Sequence, residues 1–313
     1  MRVLELWRYP VKSMGGERVA ATVIGERGLL GDRLWAVRDE ERGVLTDARR
    51  YPALLLCSAR FVHEPAPDVG PGHIPDVTLT LPDGSTIRSD DPDVHARLSA
   101  VLGHRVTLQA LRPASDRAHY AGIAAATLAA HARSPEAAES ATCGEGSPSD
   151  GSPSEGSPSD GPDLSRLPMA KLLELGVYVT PPGTYFDVMA LHVLTTASLD
   201  ALRARTTSDF DVRRFRPNVL VETTGTGLVE TGWTGGTLAL GACTALVDCP
   251  TVRCSMPTHA QPGLDADPKV LKTIVQEADT CLGVYAAVTR GGEVRVGDAV
   301  QFAPPPPPRE APH

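Results

Sequence analysis

Residues 146–160 read Gly-Ser-Pro-Ser-Asp, Gly-Ser-Pro-Ser-Glu, Gly-Ser-Pro-Ser-Asp, one five-residue unit written three times. A stretch with no large apolar side chain has nothing to bury against the entropy lost on ordering. The surrounding 133–163 therefore reads as a flexible Gly/Ser/Pro/acidic linker, and the chain must build its packed structure from what lies on either side. With 313 residues this leaves two domain-sized pieces, 1–112 and 164–303. The proline run from Pro304 to Pro308 makes 304–313 a second, extended tail.

The linker also distorts the charge. Net charge is −8 over the whole sequence, but 134–163 carries seven acids and no Lys or Arg. Set aside, they leave the remainder at about −1. A nucleic-acid footprint would show a basic excess, and none exists. No apolar run approaches the ~20 residues of a membrane helix. Arg2, Glu5 and Arg8 in the first turns of sequence are unlike a secretory signal. Six cysteines in such a length are no disulfide framework. The expectation is a cytoplasmic protein with free thiols.

Short β-rich runs dominate. Val3 to Trp7 reads as a strand buried on both faces, and Val19–Ile24, Leu34–Val37 and Leu54–Val62 as further strands. Val77–Leu81 and Ser85–Ile87 flank an Asp83-Gly84 turn, a hairpin signature. Asp91 and Pro92 open a helix whose Val94, Leu98, Val101 and Leu102 share a face, with Gly103 as its stop, and Val106–Leu111 returns to strand. Beyond the linker, Met169–Leu175 reads as a short helix and His192–Thr195 as a strand leading into a helix at Ser198–Arg205. Asn218–Glu222, Thr237–Leu240 and Thr244–Val247 are strand candidates. Asp267-Pro268 opens a helix with Val270, Leu271, Ile274 and Val275 on one face, and Gly283–Thr289 with Val294–Phe302 reads as a closing hairpin. Many short strands and few helices predict a mainly β fold with helices (α+β), as two β-barrel-like lobes.

Four places could carry chemistry. In Tyr9-Pro10-Val11-Lys12-Ser13, Pro10 ends the first strand, and Lys12 and Ser13 offer an ammonium and a hydroxyl to an anion. In Gly31-Asp32-Arg33-Leu34-Trp35, strand alternation puts Arg33 and Trp35 on one face, as a surface pair or an anion clamp. In Arg213-Arg214-Phe215-Arg216-Pro217-Asn218, Arg216 and Asn218 share a strand face that suits a planar polar group, or form a solvated rim. In Arg253-Cys254, the positive neighbour favours a thiolate. Cys254 and His259 could also form a nucleophilic pair, and the Cys/His spacing excludes a structural zinc site. No phosphate-binding glycine loop occurs.

Leu6-Trp-Arg-Tyr-Pro-Val-Lys-Ser13 and Gly31–Trp35 resemble the N-terminal β-barrel domain that accompanies MOSC domains. Phe215-Arg-Pro-Asn218, Trp233-x-Gly-Gly-x-Leu-x-Leu-Gly241, Arg253-Cys254 and Val294-x-Val-Gly-Asp298 resemble the MOSC domain itself. The likeness covers about 1–112 and 164–303. It implies a molybdenum cofactor (Mo-molybdopterin) with Cys254 as the protein ligand to the metal and the catalytic position. Lys12, Ser13, Arg33, Arg216, Asn218 and Arg253 would hold the pterin and its phosphate as binding groups rather than proton donors, with Thr195 and Ser198 nearby. It resembles the mitochondrial amidoxime-reducing component and bacterial N-hydroxylated-base reductases, which implies two-electron reduction of N-hydroxylated compounds. A sulfur-carrier or cofactor-sulfuration partner and a non-catalytic cofactor carrier are the competing readings. No plant-type Cys-x4-Cys-x2-Cys cluster run is present, so a separate electron-donor protein is expected as partner.

Overall fold

The computed structural model describes residues 1–122 and 169–306. The expected linker at 133–163 and the end of the proline tail lie outside the described residues. The first half forms β1 (Arg2–Arg8), β2 (Glu17–Val19), β3 (Ala21–Gly25), β4 (Gly28–Leu29), β5 (Trp35–Asp39), β6 (Val44–Leu45), β7 (Ser58–Phe61), β8 (Val77–Thr80), β9 (Thr86–Arg88) and β10 (Val106–Ala110). Its helices are α1 (Val94–Leu102) and the short α2 (Arg117–Tyr120). The second half forms α3 (Met169–Val177), β11 (Leu191–Thr195), α4 (Thr196–Arg203), β12 (Val219–Glu222), β13 (Thr237–Leu240), β14 (Cys243–Val252), α5 (Pro268–Ala278), β15 (Cys281–Arg290), β16 (Gly292–Arg295) and β17 (Val300–Ala303). The mainly β, α+β class is as expected.

The sheets do not divide where the sequence does. The largest has eight strands in the order β17-β13-β14-β15-β11-β12-β1-β2, so the first two strands of the chain complete the sheet of its C-terminal half. β1 pairs antiparallel with β12, Leu6 opposite Val219. The sheet curls until its far end returns to β1. Val3 N donates to Asp298 O at 2.9 Å and Val300 N to Met1 O at 3.0 Å, a barrel-like closure that leaves fewer open edges. Val3 and Leu6 join Val193, Val221, Leu238 and Val284 in the buried interior. Helices α4 and α5 cover an outer face through Leu199, Leu202, Val270 and Ile274. The N-terminal lobe has its own core, in which Leu98 of α1 packs with Val37, Leu54 and Leu79.

The Asp83-Gly84 hairpin forms as expected, with Gly84 at φ 81°. Four expectations need correction. Pro52 starts a 3-10 turn over Pro52–Leu56, so the strand expected from Leu54 begins only at Ser58. α1 starts at Val94 because Asp91 and Pro92 are used in the preceding turn, where Val94 N donates to Asp91 O. Val275 is exposed, and the buried face of α5 runs through Thr273 and Ala278 instead. The closing hairpin does not form. After β15 the chain crosses at Gly291-Gly292 and β16 pairs with β3, while β17 pairs with β13. Gly292 fits because a Cβ there would overlap the Ala242 carbonyl.

Candidate functional site

Pro10 lies just past the end of β1, and the chain from Tyr9 to Lys12 runs beside 32–35. Arg33 N donates to Tyr9 O at 2.7 Å and Lys12 N to Trp35 O at 2.8 Å. Asp32 fixes the approach by accepting from Tyr9 N at 2.8 Å. Five described non-glycine residues have positive φ, and three are Ser13 (66°), Arg33 (51°) and Arg216 (54°). Left-handed backbone at bulky residues is strained and collects where side chains must be aimed. Arg33 therefore precedes β5 rather than lying on it, and it does not share a strand face with Trp35. Its guanidinium lies over the Tyr9 ring at 5.2 Å and pairs with Asp32. Trp35 turns its indole N–H to Pro75 O.

Arg216 and Asn218 likewise precede β12. Arg216 sits over Tyr9 at 4.2 Å and donates through Nη1 to Met14 O, leaving buried Nη2 without a partner. Burial draws its guanidinium down to about 10, so it stays charged at neutral pH. Asn218 is used internally: its Oδ1 accepts from His192 N at 3.1 Å, and its Nδ2 faces Trp7 O at 3.4 Å. Ser13 Oγ accepts from Ala48 N at 3.1 Å.

Cys254 follows β14 and is half-buried. Two cavities meet at it. The larger, about 740 Å³, opens between the lobes, with Leu45, Asp47 and Arg49 on one side and Asp187, Cys254 and Tyr285 on the other. The smaller, about 70 Å³, lies behind the thiol and is lined by Arg33, Arg216, Asn218, Arg253 and His192. Arg253 gives Nη2 to Phe215 O at 2.8 Å, while its buried Nε has no partner. Lys12 lines neither cavity. Its buried ammonium pairs with Asp187, which lines both.

Electrostatics correct one expectation. Burial raises the Cys254 thiol, and the Met256 backbone bond and the Arg253 charge offset only part of that, so the free thiol is not a ready thiolate. Burial pushes the Asp187 carboxyl up too, but Lys12, Arg33 and Arg49 outweigh it and hold it well below the usual carboxylate range.

The structure thus brings Arg33, Arg216, Asn218, Arg253 and Cys254 around one small cavity, with Lys12 behind Asp187 and Ser13 in the supporting loop. Thr195 and Ser198 do not join them. Their hydroxyls both donate to the Glu230 carboxylate, and they line neither cavity. His259 lines neither cavity either, and its buried Nε2 has no hydrogen-bond partner, so that nitrogen is not paired with the Cys254 thiol. Sequence reading missed Asp187, His192, Tyr285, Arg49 and Arg214. Arg214 is buried and donates to four carbonyls, of Asp209, Pro257, His259 and Asp265, fastening the loop that follows Cys254. Its place in the Arg213–Asn218 run was the one signal available.

A polar group fits the small cavity. Two charged donors, Arg216 Nη2 and Arg253 Nε, are buried without partners beside it, and buried donors in folded proteins are ordinarily paired. The thiol at its mouth is the soft donor a sulfur-coordinated metal takes. Among the described residues, no cluster of three His, Cys, Asp or Glu side chains could hold a metal ion by itself, and no helix is long and apolar enough to cross a membrane.

A search of the curated proteins finds no match. Among solved structures, YiiM from Geobacillus stearothermophilus is 18% identical, covers 36% of this chain and 54% of its own, and has a TM-score of 0.30. The YUAD protein from Bacillus subtilis is 15% identical, covers 44% of this chain and 74% of its own, and has a TM-score of 0.34. The chain thus spans about half the length of the YiiM chain it matches. Residues 183–301 match the family described as MOSC domain, and residues 1–120 that described as MOSC N-terminal beta barrel domain. The chain belongs to the MOSC family, in the form that carries the N-terminal β-barrel domain.

Proposed function

We propose that the protein is a molybdenum cofactor-dependent oxidoreductase that reduces N-hydroxylated compounds in the cleft in front of Cys254. MOSC domains bind this cofactor, and the observation that carries the reading here is the thiol placed between a donor-lined pocket and a substrate-sized cleft. When bound, the group would supply two electrons and an acceptor for the substrate oxygen.

The remaining work falls to this chain. Cys254 would ligate the metal, its raised thiol losing its proton on coordination. Arg216 Nη2 and Arg253 Nε would donate to anionic parts of the pterin, and Arg33 would add charge from the other lobe. Lys12, Ser13 and Asn218 would hold the frame: Lys12 through Asp187, Ser13 through Ala48 N, and Asn218 through His192 N. The overall reaction breaks one N–O bond, takes up two electrons and two protons and releases water. The described cysteines other than Cys254 are buried. A separate electron-donor protein would supply the electrons.

The test is purification from a host that makes the cofactor, with metal and pterin analysis, then assay on benzamidoxime with reduced methyl viologen as donor. Stoichiometric molybdenum with turnover, and loss of turnover in Cys254→Ala, support the reading. Full metal loading with no reduction of any N-oxygenated compound would make the protein a carrier instead. Absence of both metal and pterin would end the reading altogether.

A further inference from the structure

The rim of the cleft shows solvent charge of one sign. The turn between β5 and β6 and the stretch after β6 bring Arg42, Arg49 and Arg50 to its lining, and all three are exposed. The acids of the same wall are turned inward. Asp39 is 2% exposed and accepts from the Tyr51 hydroxyl and from the backbone N–H groups of Glu41 and Arg42. Asp47 is 6% exposed and pairs with Arg49. Arg50 Nε stands 3.9 Å from Asp39, too far for a hydrogen bond. Arg42 has no ion-pair partner among the described residues. Across residues 38–50, Glu41 is the one exposed acid.

Another part of the rim is apolar. α3 turns Leu172 and Leu175 inward, against Val188 and Cys249. Its other face carries Met169, Leu173 and Val177 at a spacing of four residues, and leaves them bare, with Leu173 67% exposed. The stripe reaches the cleft at its C-terminal end, where Gly176 and Tyr178, on either side of Val177, belong to the lining.

An exposed apolar stripe beside a row of like charges suits a transient protein contact. The charges steer and orient the partner, and the apolar contact holds it briefly. Electron-transfer encounters lie at the small end of interface sizes, because the donor must leave after each delivery. The whole chain is at −8, so an acidic partner gains nothing from its overall charge. Attraction has to come from this rim.

We propose that the Arg42–Arg50 rim and the bare face of α3 form the docking surface for the electron donor. The donor it fits is an acidic electron-transfer protein, with carboxylates set against the arginines and a small apolar patch against Leu173 and Val177. This rests on the reductase reading for the need of a donor. Docked there, the donor stands at the mouth of the cleft that Cys254 lines.

The experiment uses the full-length holoenzyme, an acidic plant-type [2Fe–2S] ferredoxin as probe and basic cytochrome c as control. Binding to the oxidised protein is followed by surface plasmon resonance at about 20 mM and about 300 mM salt. Turnover of benzamidoxime is then driven by reduced ferredoxin or by methyl viologen. Two variants at exposed side chains are compared, the double variant Arg42→Glu/Arg50→Gln and the single variant Leu173→Glu. Ferredoxin is expected to bind the wild type at low salt and about 10-fold or more weakly at high salt, while cytochrome c does not bind. Each variant should lose about 10-fold in ferredoxin affinity at low salt, with a matching rise in the KM for ferredoxin. Turnover driven by methyl viologen, which needs no docking surface, should stay within about 2-fold. No ferredoxin binding at low salt, affinity unchanged in either variant, or equally tight binding of cytochrome c overturns the assignment. Ferredoxin binding that depends on salt and on both variants, with no turnover from either donor, leaves the surface standing and removes the reductase reading instead.

Discussion

The guanidinium carbon of Arg216 lies 4.2 Å from the centre of the Tyr9 ring, and the Tyr9 hydroxyl donates to Pro217 O at 3.1 Å. One side chain from the end of β1 thus supports the left-handed turn that carries Arg216 into the small cavity. Arg33 lies over the same ring. Tyr9→Phe should cost about 1 kcal/mol, the worth of one buried hydrogen bond, and leave metal content unchanged. Tyr9→Leu removes the aromatic face from two buried cations and should cost ~3 kcal/mol or more, with a matching fall in bound metal. Urea unfolding and metal analysis of both variants check this, and equal metal content in the two would refute the supporting role.

Gly283, at φ 85° in β15, lies against His192, and a Cβ there would overlap His192 Nε2. His192 is buried and kept neutral, first by burial and then by Arg253. Gly283→Ala should destabilise by ~2 kcal/mol or more, through left-handed strain and through displacement of the imidazole. Since Asn218 binds His192 N, the variant should also weaken cofactor retention. A variant as stable as the wild type would show that the strand moves freely and that the close approach carries no constraint.

What could be read beforehand follows the range of the forces involved. The Asp83-Gly84 hairpin, the β11–α4 junction capped by Thr195 and the α5 start at Asp267 are set by neighbouring residues, so they were legible. The β16–β3 pairing was not, because the partner lies in the other half of the chain. The site divides in the same way. Lys12, Arg33, Arg216 and Cys254 sit in short motifs, whereas Asp187 is a single acid in a loop and His192 looks like one polar residue in an apolar strand. Only tertiary contact with Lys12 and Asn218 gives those two their roles.

Arg214 satisfies four carbonyls with one planar group, two of them, Pro257 and His259, just beyond Cys254. A lysine keeps the charge but concentrates its donors at one point and cannot span them. Arg214→Lys should lose ~2–4 kcal/mol of stability. It should also loosen the Cys254 loop, seen as faster alkylation of Cys254 by iodoacetamide in cofactor-free protein under conditions where the fold persists. Unchanged alkylation would show that the loop holds its place without the clamp.

His119 provides a pH test away from the site. It is 4% exposed, and its Nε2 lies 2.6 Å from the Tyr185 hydroxyl, which itself donates to Ala110 O at 2.9 Å. Nε2 is therefore the donor, and Nδ1 takes any second proton. Burial, then Arg112 and Arg38, lower its pKa to about 4 against opposition from Asp116. The folded state thus binds fewer protons than the unfolded state between pH 6.5 and 4. The stability tied to the neutral ring is fully present above about pH 6.5 and is lost as pH falls toward 4. A depression of this size corresponds to about 3 kcal/mol. His119→Phe retains the ring packing with Tyr120 and Tyr185 but cannot protonate. The stability of the wild type relative to that variant should therefore fall by about this amount between pH 7 and pH 4, measured by urea unfolding at each pH. A difference that stays flat across the window would mean that His119 takes up its proton as readily in the fold as in the open chain.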